Sequence, residues 1–230
     1  MDALLLSLRL ALCVSAILFV IGVPLAHWLA FTTWRGKFLL EAIVALPLVL
    51  PPTVLGFYVL IALGPQGPLG KVWQSLFGHG LAFTFEGLVL ASVLYSFPFA
   101  VQPLIASFES VDRKLLDASA VLGASRARTF FRVILPLSIP GVVTALVLSF
   151  AHTIGEFGVV LMVGGNLPGI TRTVSIDIYD HVQSLEYAQA NRMALLLLAL
   201  SFAVLALVYA VNRRIVHDLV QRLWTPWTAR

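Results

Sequence analysis

Five long apolar runs organise the chain, at about 4–31, 38–63, 87–108, 137–163 and 193–211, with polar and charged residues gathered between them. Each run can cross a hydrocarbon core of roughly 30 Å at about 1.5 Å per residue. The longest require tilt or a kink to fit. Pro24 in the first run and Pro47, Pro51 and Pro52 in the second are expected to supply bends, because proline removes a backbone donor and crowds the preceding turn. The pattern predicts an all-α polytopic membrane protein, a single domain over 1–230 with five spans and a long polar connection at 109–136.

Composition reinforces this picture. Of 230 residues, 60% are hydrophobic and only 11% charged, with a mean hydropathy of +0.96. A soluble domain lies nearer about 45–50% apolar and about 25% charged, so lipid must be one of this chain's solvents. The formal charge of +4 would suggest nucleic acid in a soluble protein. Membrane proteins instead collect Lys and Arg in cytoplasmic loops, and no nucleic-acid partner is expected. Cys13 is alone, which excludes an internal disulfide and a cysteine metal site. The first run exceeds the roughly 7–15-residue apolar region of a signal peptide and lacks a basic leader, so it is expected to be a retained span.

Basic residues set the expected orientation. With the C-terminus inside, the inner segments hold Arg35, Lys37, Arg113, Lys114, Arg126, Arg128, Arg132, Arg213, Arg214, Arg222 and Arg230. The outer segments keep Arg9, Lys71, Arg172 and Arg192. Eleven against four predicts N-out, C-in. The tail from Arg213, with Trp224 and Trp227, is expected to lie at the interface. No internal repeat is visible, which weighs against folds built from inverted repeats.

The polar connection Ser107–Leu137 carries the most local information. Ser110 is placed to cap a helix whose first turn includes Asp112, and Leu115, Leu116, Ala118, Ala120, Val121 and Leu122 follow at mainly helical spacing. Gly123 then interrupts the pattern as a helix end or sharp turn. A second short helix is expected over Ala124–Phe131, and Pro136 and Pro140 mark entry into the next span. The result is an elbow of two helices with a basic tip. Physics alone leaves open whether that tip merely faces lipid headgroups.

The elbow resembles the cytoplasmic signature of ABC importer permeases, which runs Glu-Ala-Ala, three residues, Gly, nine residues, then Ile-x-Leu-Pro. Asp117, Ala118 and Ser119 hold the first places, Gly123 has the required spacing, and Val133, Leu135 and Pro136 close the pattern in register. Asp117, Ser119 and Val133 depart from it conservatively. The resemblance implies that Asp117, Ala118, Ser119, Gly123, Ala124, Ser125 and Arg126, with Leu135 and Pro136, couple the spans to an ATP-hydrolysing subunit. Gly155-Glu156-Phe157-Gly158, Gly164 to Gly169 and Thr171-Arg172-Thr173 look like the molybdate permeases and their sulfate relatives, as does Leu46 to Pro52. The compact length is closer to the molybdate members.

The resemblance implies a type I importer transmembrane domain in a bacterial inner membrane, working as a homodimer. Two cytoplasmic ATPase subunits and an external oxyanion-binding protein would complete it. The chain itself is expected to be no enzyme and to bind no cofactor, with Mg-ATP on the partner subunit. A phosphate-binding loop needs G-x-x-x-x-G-K-[ST], and the nearest approach, ending at Gly70-Lys71, starts at Pro65 and continues with Val72. No nucleophile–base–orienter set can be assembled. His27, His79, His152, His181 and His217 show no ligand spacing, so no metal site is expected.

Candidate translocation-path residues are Pro51, Pro52, His152, Thr153, Gly155 and Glu156. An ionisable group within a span is a functional candidate by default, yet a carboxylate has the wrong sign to hold an oxyanion. For Glu156 a structural role beside Gly155 and Gly158 and a path-lining role both stay open. The loop Gly164–Arg192, outside in this topology, is either a receiver for the binding protein or an ordinary solvated loop. Sulfate, tungstate or thiosulfate permeases are rival readings, as are an ion-coupled secondary transporter and a membrane scaffold.

Overall fold

The structure, a computed structural model, describes residues 2–228, with side chains through residue 210. Among them every regular element is helical. In order these are α1 (Asp2–Phe31), α2 (Lys37–Val49), α3 (Pro52–Leu63), α4 (Pro68–Phe77), α5 (Phe85–Glu109), α6 (Arg113–Val121) and α7 (Arg126–Thr129). A π-helical turn (Phe130–Ile134) follows, then α8 (Leu135–Leu137), α9 (Ile139–Gly155), α10 (Gly158–Gly164), α11 (Val174–Gln183) and α12 (Tyr187–Thr228).

Three helices are long and apolar enough to cross a membrane, and five spans result if each of two bent pairs counts as one. The five apolar runs therefore map onto α1, α2–α3, α5, the α9 region and α12. The run 38–63 is not one rod: α2 and α3 meet at 111°. Its cause is local. Leu50 precedes Pro51 and Pro51 precedes Pro52, and a residue before proline is pushed out of the helical region. Both adopt extended backbone, with ψ of 136° at each. Pro24 behaves otherwise, sitting inside an unbroken α1, as Pro98 and Pro103 do in α5. A single proline in a buried span forfeits one ladder bond, and neighbouring helices hold the rod together around it.

The run 137–163 is also divided. α9 ends at Gly155, Glu156 is extended, and α10 begins at Gly158. Two helices lie beyond both the five apolar runs and the elbow: α4, which starts at Pro68 and stops at left-handed Gly78, and α11. The aromatic anchors expected at Trp224 and Trp227 lie outside the residues whose side chains are described.

α1, α5 and α9 pack pairwise as the central bundle, α2 lies on α5, and α10 packs on α3 and α5. One end of the bundle is filled by Ala26, Leu29, Val101, Leu104, Phe108 and Ile134. The other holds Leu10, Val14, Leu88, Val160 and Ile176. Small residues admit close backbones where helices cross, as membrane packing requires: Gly22 sits on Val101 and Leu104, and Gly141 on Ser107. No residue in the apolar stretch of α12 is fully buried, although the helix packs along α9 and α11.

Lys37 Nζ fastens the start of α2 to the end of α5, 2.9 Å from Glu109 and 3.3 Å from Glu41. These side chains are partly solvated, so Lys37→Met is expected to cost no more than about 1 kcal/mol of stability. Thermal unfolding in detergent would check it.

Candidate functional site

Two places carry the sequence-predicted residues: the elbow beyond α5, and the breaks that follow α2 and α9. At the elbow Asp112, rather than Ser110, caps α6, its carboxylate accepting from the Lys114 N–H at 2.9 Å. Ser110 instead closes α5, its hydroxyl donating to the Ser107 carbonyl. Gly123 turns the chain with φ +72°, and its N–H donates to Ala120 O at 2.9 Å while Ala124 N–H donates to Ser119 O. Only glycine takes that left-handed conformation without steric cost. Ser125 then caps α7 by accepting from the Arg128 N–H, so the second helix starts at Arg126 and not Ala124.

Ser119 is buried, and its hydroxyl lies 2.6 Å from that of Thr129, clasping α6 to α7. The departure from the alanine of the family pattern thus has a physical use. Ser119→Ala would leave Thr129 without this partner at a cost of about 1 kcal/mol. Faster amide exchange across α6 is the expected signature. Asp117 and Ala118 are exposed on the same helix, and Leu135 and Pro136 lie at the base where the chain re-enters the bundle. At the tip Val121 and Leu122 are 88% and 85% exposed, flanked by Arg126 and Arg128. The described residues thus leave an apolar tip uncovered within a basic collar.

The second place lies where α9 gives way to α10. Pro51, Pro52 and Gly155 are exposed, whereas Thr153 and Glu156 are buried and face the bundle, so the six path candidates divide between two sides of the break. Thr153 donates to the Ser149 carbonyl at 2.8 Å. With that proton committed, the Thr153 hydroxyl accepts from Ser96 at 3.0 Å, and Ser96 in turn accepts from His152 Nδ1 at 2.9 Å. The imidazole is stacked on Phe99, ring centres 3.9 Å apart, with Tyr95 at 4.8 Å. His152 is thereby a packed, hydrogen-bonded ring. Sequence reading missed Ser92, Tyr95 and Ser96 on α5, which supply this polar lining. Their spacing was the available signal, since residues three and four apart share one helix face.

The end of the bundle away from the elbow is folded rather than loose. Val174 N–H donates to buried Ser7 Oγ at 2.9 Å, tying α11 to α1. Arg172 Nε donates to Asn166 Oδ1 at 2.6 Å and its guanidinium lies 3.4 Å from Asp180. Arg172→Ala is expected to loosen this clasp by no more than about 1 kcal/mol, given its partial exposure. Limited proteolysis between Gly164 and Val174 would report it. No group of three or more His, Cys, Asp or Glu side chains could hold a metal among the described residues.

Residues 19–217 match the family described as the binding-protein-dependent transport system inner membrane component. The chain belongs to that family. Among its relatives, the molybdenum transport system permease protein ModB of Azotobacter vinelandii is 52% identical over 211 residues, covering 92% of this chain and 93% of the relative. A probable sulfate transport system permease protein of Chlorokybus atmophyticus is 34% identical over 191 residues, covering 83% of this chain but 65% of the relative. Among solved structures, a bacterial ABC transporter involved in import of the acidic polysaccharide alginate superimposes with a TM-score of 0.76 at 18% identity. It covers 93% of this chain and 79% of that one, and shares the fold of an importer membrane domain. This chain is therefore a membrane-embedded transport component with the all-α architecture of that family.

Proposed function

We propose that this permease-family chain translocates molybdate across the bacterial cytoplasmic membrane, as a homodimer with two ATPase subunits and an external oxyanion-binding protein. The observation that carries the substrate is the 52% identity to a molybdenum permease along nearly all of both chains. The sulfate relative is both less similar and longer than this chain. The elbow is assigned to the cytoplasm. It shares an end of the bundle with Lys37 and Glu109 and concentrates Arg113, Lys114, Arg126, Arg128 and Arg132 there, as cytoplasmic segments do. On that assignment the N-terminus is outside and the C-terminus inside, and α4 and α11 form the external surface that meets the loaded binding protein.

In this reading Val121, Leu122 and their basic neighbours seat on the ATPase, and Asp117 to Arg126 carry its closure into α5 and α9. Pro51, Pro52 and Gly155 line the path, completed by the second copy. His152, Thr153 and Glu156 stand behind that lining. Energy comes from Mg-ATP on the partner, with this chain supplying two alternating openings. Molybdate, tungstate and sulfate are all tetrahedral dianions, so discrimination rests with the binding protein.

Labelled molybdate uptake at nanomolar concentration, with and without the chain and under a large sulfate excess, tests the proposal. Chain-dependent uptake that survives sulfate is the expected result. Uptake abolished by sulfate would move the assignment to a sulfate permease.

A further inference from the structure

The elbow stands off the end of α1 across an open cavity of about 510 Å³. Trp28, Phe31 and Thr32 line it from the α1 side, Leu116 and Ala120 from α6, and Arg126 from α7. His27 is a fixed part of the α1 wall, its ring packed against Phe31, Phe108 and Phe130. Arg128 and Arg132 line a separate groove with Leu115, Ala118 and Leu122, on another face of α6. Arg126 is therefore the guanidinium that serves the α1 side.

The chemistry of this cavity is divided. Its walls are mainly apolar, yet Arg126 lines it with no carboxylate beside it. Among the described residues its guanidinium has neither an ion-pair nor a hydrogen-bond partner. The Thr32 hydroxyl oxygen accepts from the Trp34 N–H at 3.3 Å, which leaves its own proton for a ligand. A guanidinium fork and a hydroxyl suit a phosphate. Trp28 and Trp34, with ring centres 6.3 Å apart, mark the end of α1 as headgroup level. Ile17, Ile21, Trp28 and Phe31 are all exposed and share one face of α1. An apolar stripe thus leads from the middle of the span to the cavity.

We propose that this cavity seats the headgroup of one anionic phospholipid of the inner leaflet. Its phosphate lies on Arg126 and the Thr32 hydroxyl, and its acyl chains run along the α1 stripe. A basic pocket beside spans on the cytoplasmic side is suited to such lipids. A free oxyanion would meet mostly apolar walls and is the poorer fit. The lipid fills the space that the chain itself leaves between α1 and the elbow. The inference rests on the cytoplasmic assignment of the elbow made above.

The test is native mass spectrometry of the full chain, purified with its ATPase subunit in neutral detergent. It is titrated with dioleoylphosphatidylglycerol, with dioleoylphosphatidylcholine, and with inorganic phosphate. One phosphatidylglycerol per chain is expected, held about fivefold more tightly than phosphatidylcholine and not displaced by millimolar phosphate. Arg126→Gln should weaken it about fivefold, whereas Lys114→Gln, exposed on the elbow but outside the cavity, should leave it unchanged. Ala120→Trp keeps the charge but fills the cavity, and should also lose the lipid. Equal retention of the two lipids overturns the proposal, as does binding that neither Arg126→Gln nor Ala120→Trp reduces. Displacement by phosphate overturns it in favour of a free-anion site. The topology is read separately, from Ala127→Cys in a Cys13→Ala background, treated in intact cells with an impermeant maleimide. Labelling there would overturn the cytoplasmic assignment, and the leaflet with it, whatever lipid the purified chain retains.

Discussion

Replacing Gly123 with valine is expected to abolish ATP-driven uptake while the chain still inserts and folds. Gly123 has φ +72°, and a Cβ there would meet nothing within 4 Å, so the penalty is purely one of backbone conformation. For an ordinary L-residue this amounts to about 1–2 kcal/mol, and a β-branched side chain is the worst case. The bundle does not feel it. The elbow does: relief requires the turn to leave the left-handed region, which breaks the bond from Gly123 N–H to Ala120 O and redirects the exposed Val121 and Leu122. Gly123→Asn, which tolerates the conformation better, should retain much of the uptake. The measurements are chain abundance in membranes, co-purification of the ATPase, and uptake. A valine variant that transports at the normal rate would remove the elbow from the coupling mechanism.

Gly158→Leu is expected to be equally damaging to uptake, but through the bundle. Its Cβ would already crowd Pro52, and the rest of the side chain has no room between α3 and α10. Overpacking of this kind costs about 1–3 kcal/mol, and here it also wedges apart α3 and α10 where the two helices start against each other. The expected result is loss of uptake together with a lowered unfolding temperature of the purified chain. Gly80→Ala, where nothing lies within 4 Å, should change neither. Unimpaired transport by Gly158→Leu would show that the breaks need not stay in contact.

The two sites differed in how well they could be read from residues alone. At the elbow the turn at Gly123 and the re-entry at Pro136 and Pro140 were legible, since each depends on a few adjacent residues. The choice of cap was not: Ser110 and Asp112 are both good cap residues, and only the end of α5 decided between them. In the spans, tandem Pro51-Pro52 announced a break, but Pro24, also expected to bend its span, sits within an unbroken helix. The second break, at Glu156, has no proline. α11 was hidden because its residues alternate polar and apolar over a short stretch, and its docking depends on Ser7, far away in sequence.

What the sequence by itself determined is membrane residence, the five apolar runs and the chemistry of the elbow turn. Hydropathy over a window and backbone preference at a turn are local properties, summed along the chain without reference to its path. Only the tertiary structure decided that Pro52 meets Gly158, that Glu156 turns inward beside Ser92 while Gly155 faces out, and that His152 is held by Ser96. Those outcomes depend on which helix faces meet. Nearly every face of these helices is apolar, so the choice is made by shape and by a few polar partners distant in the chain.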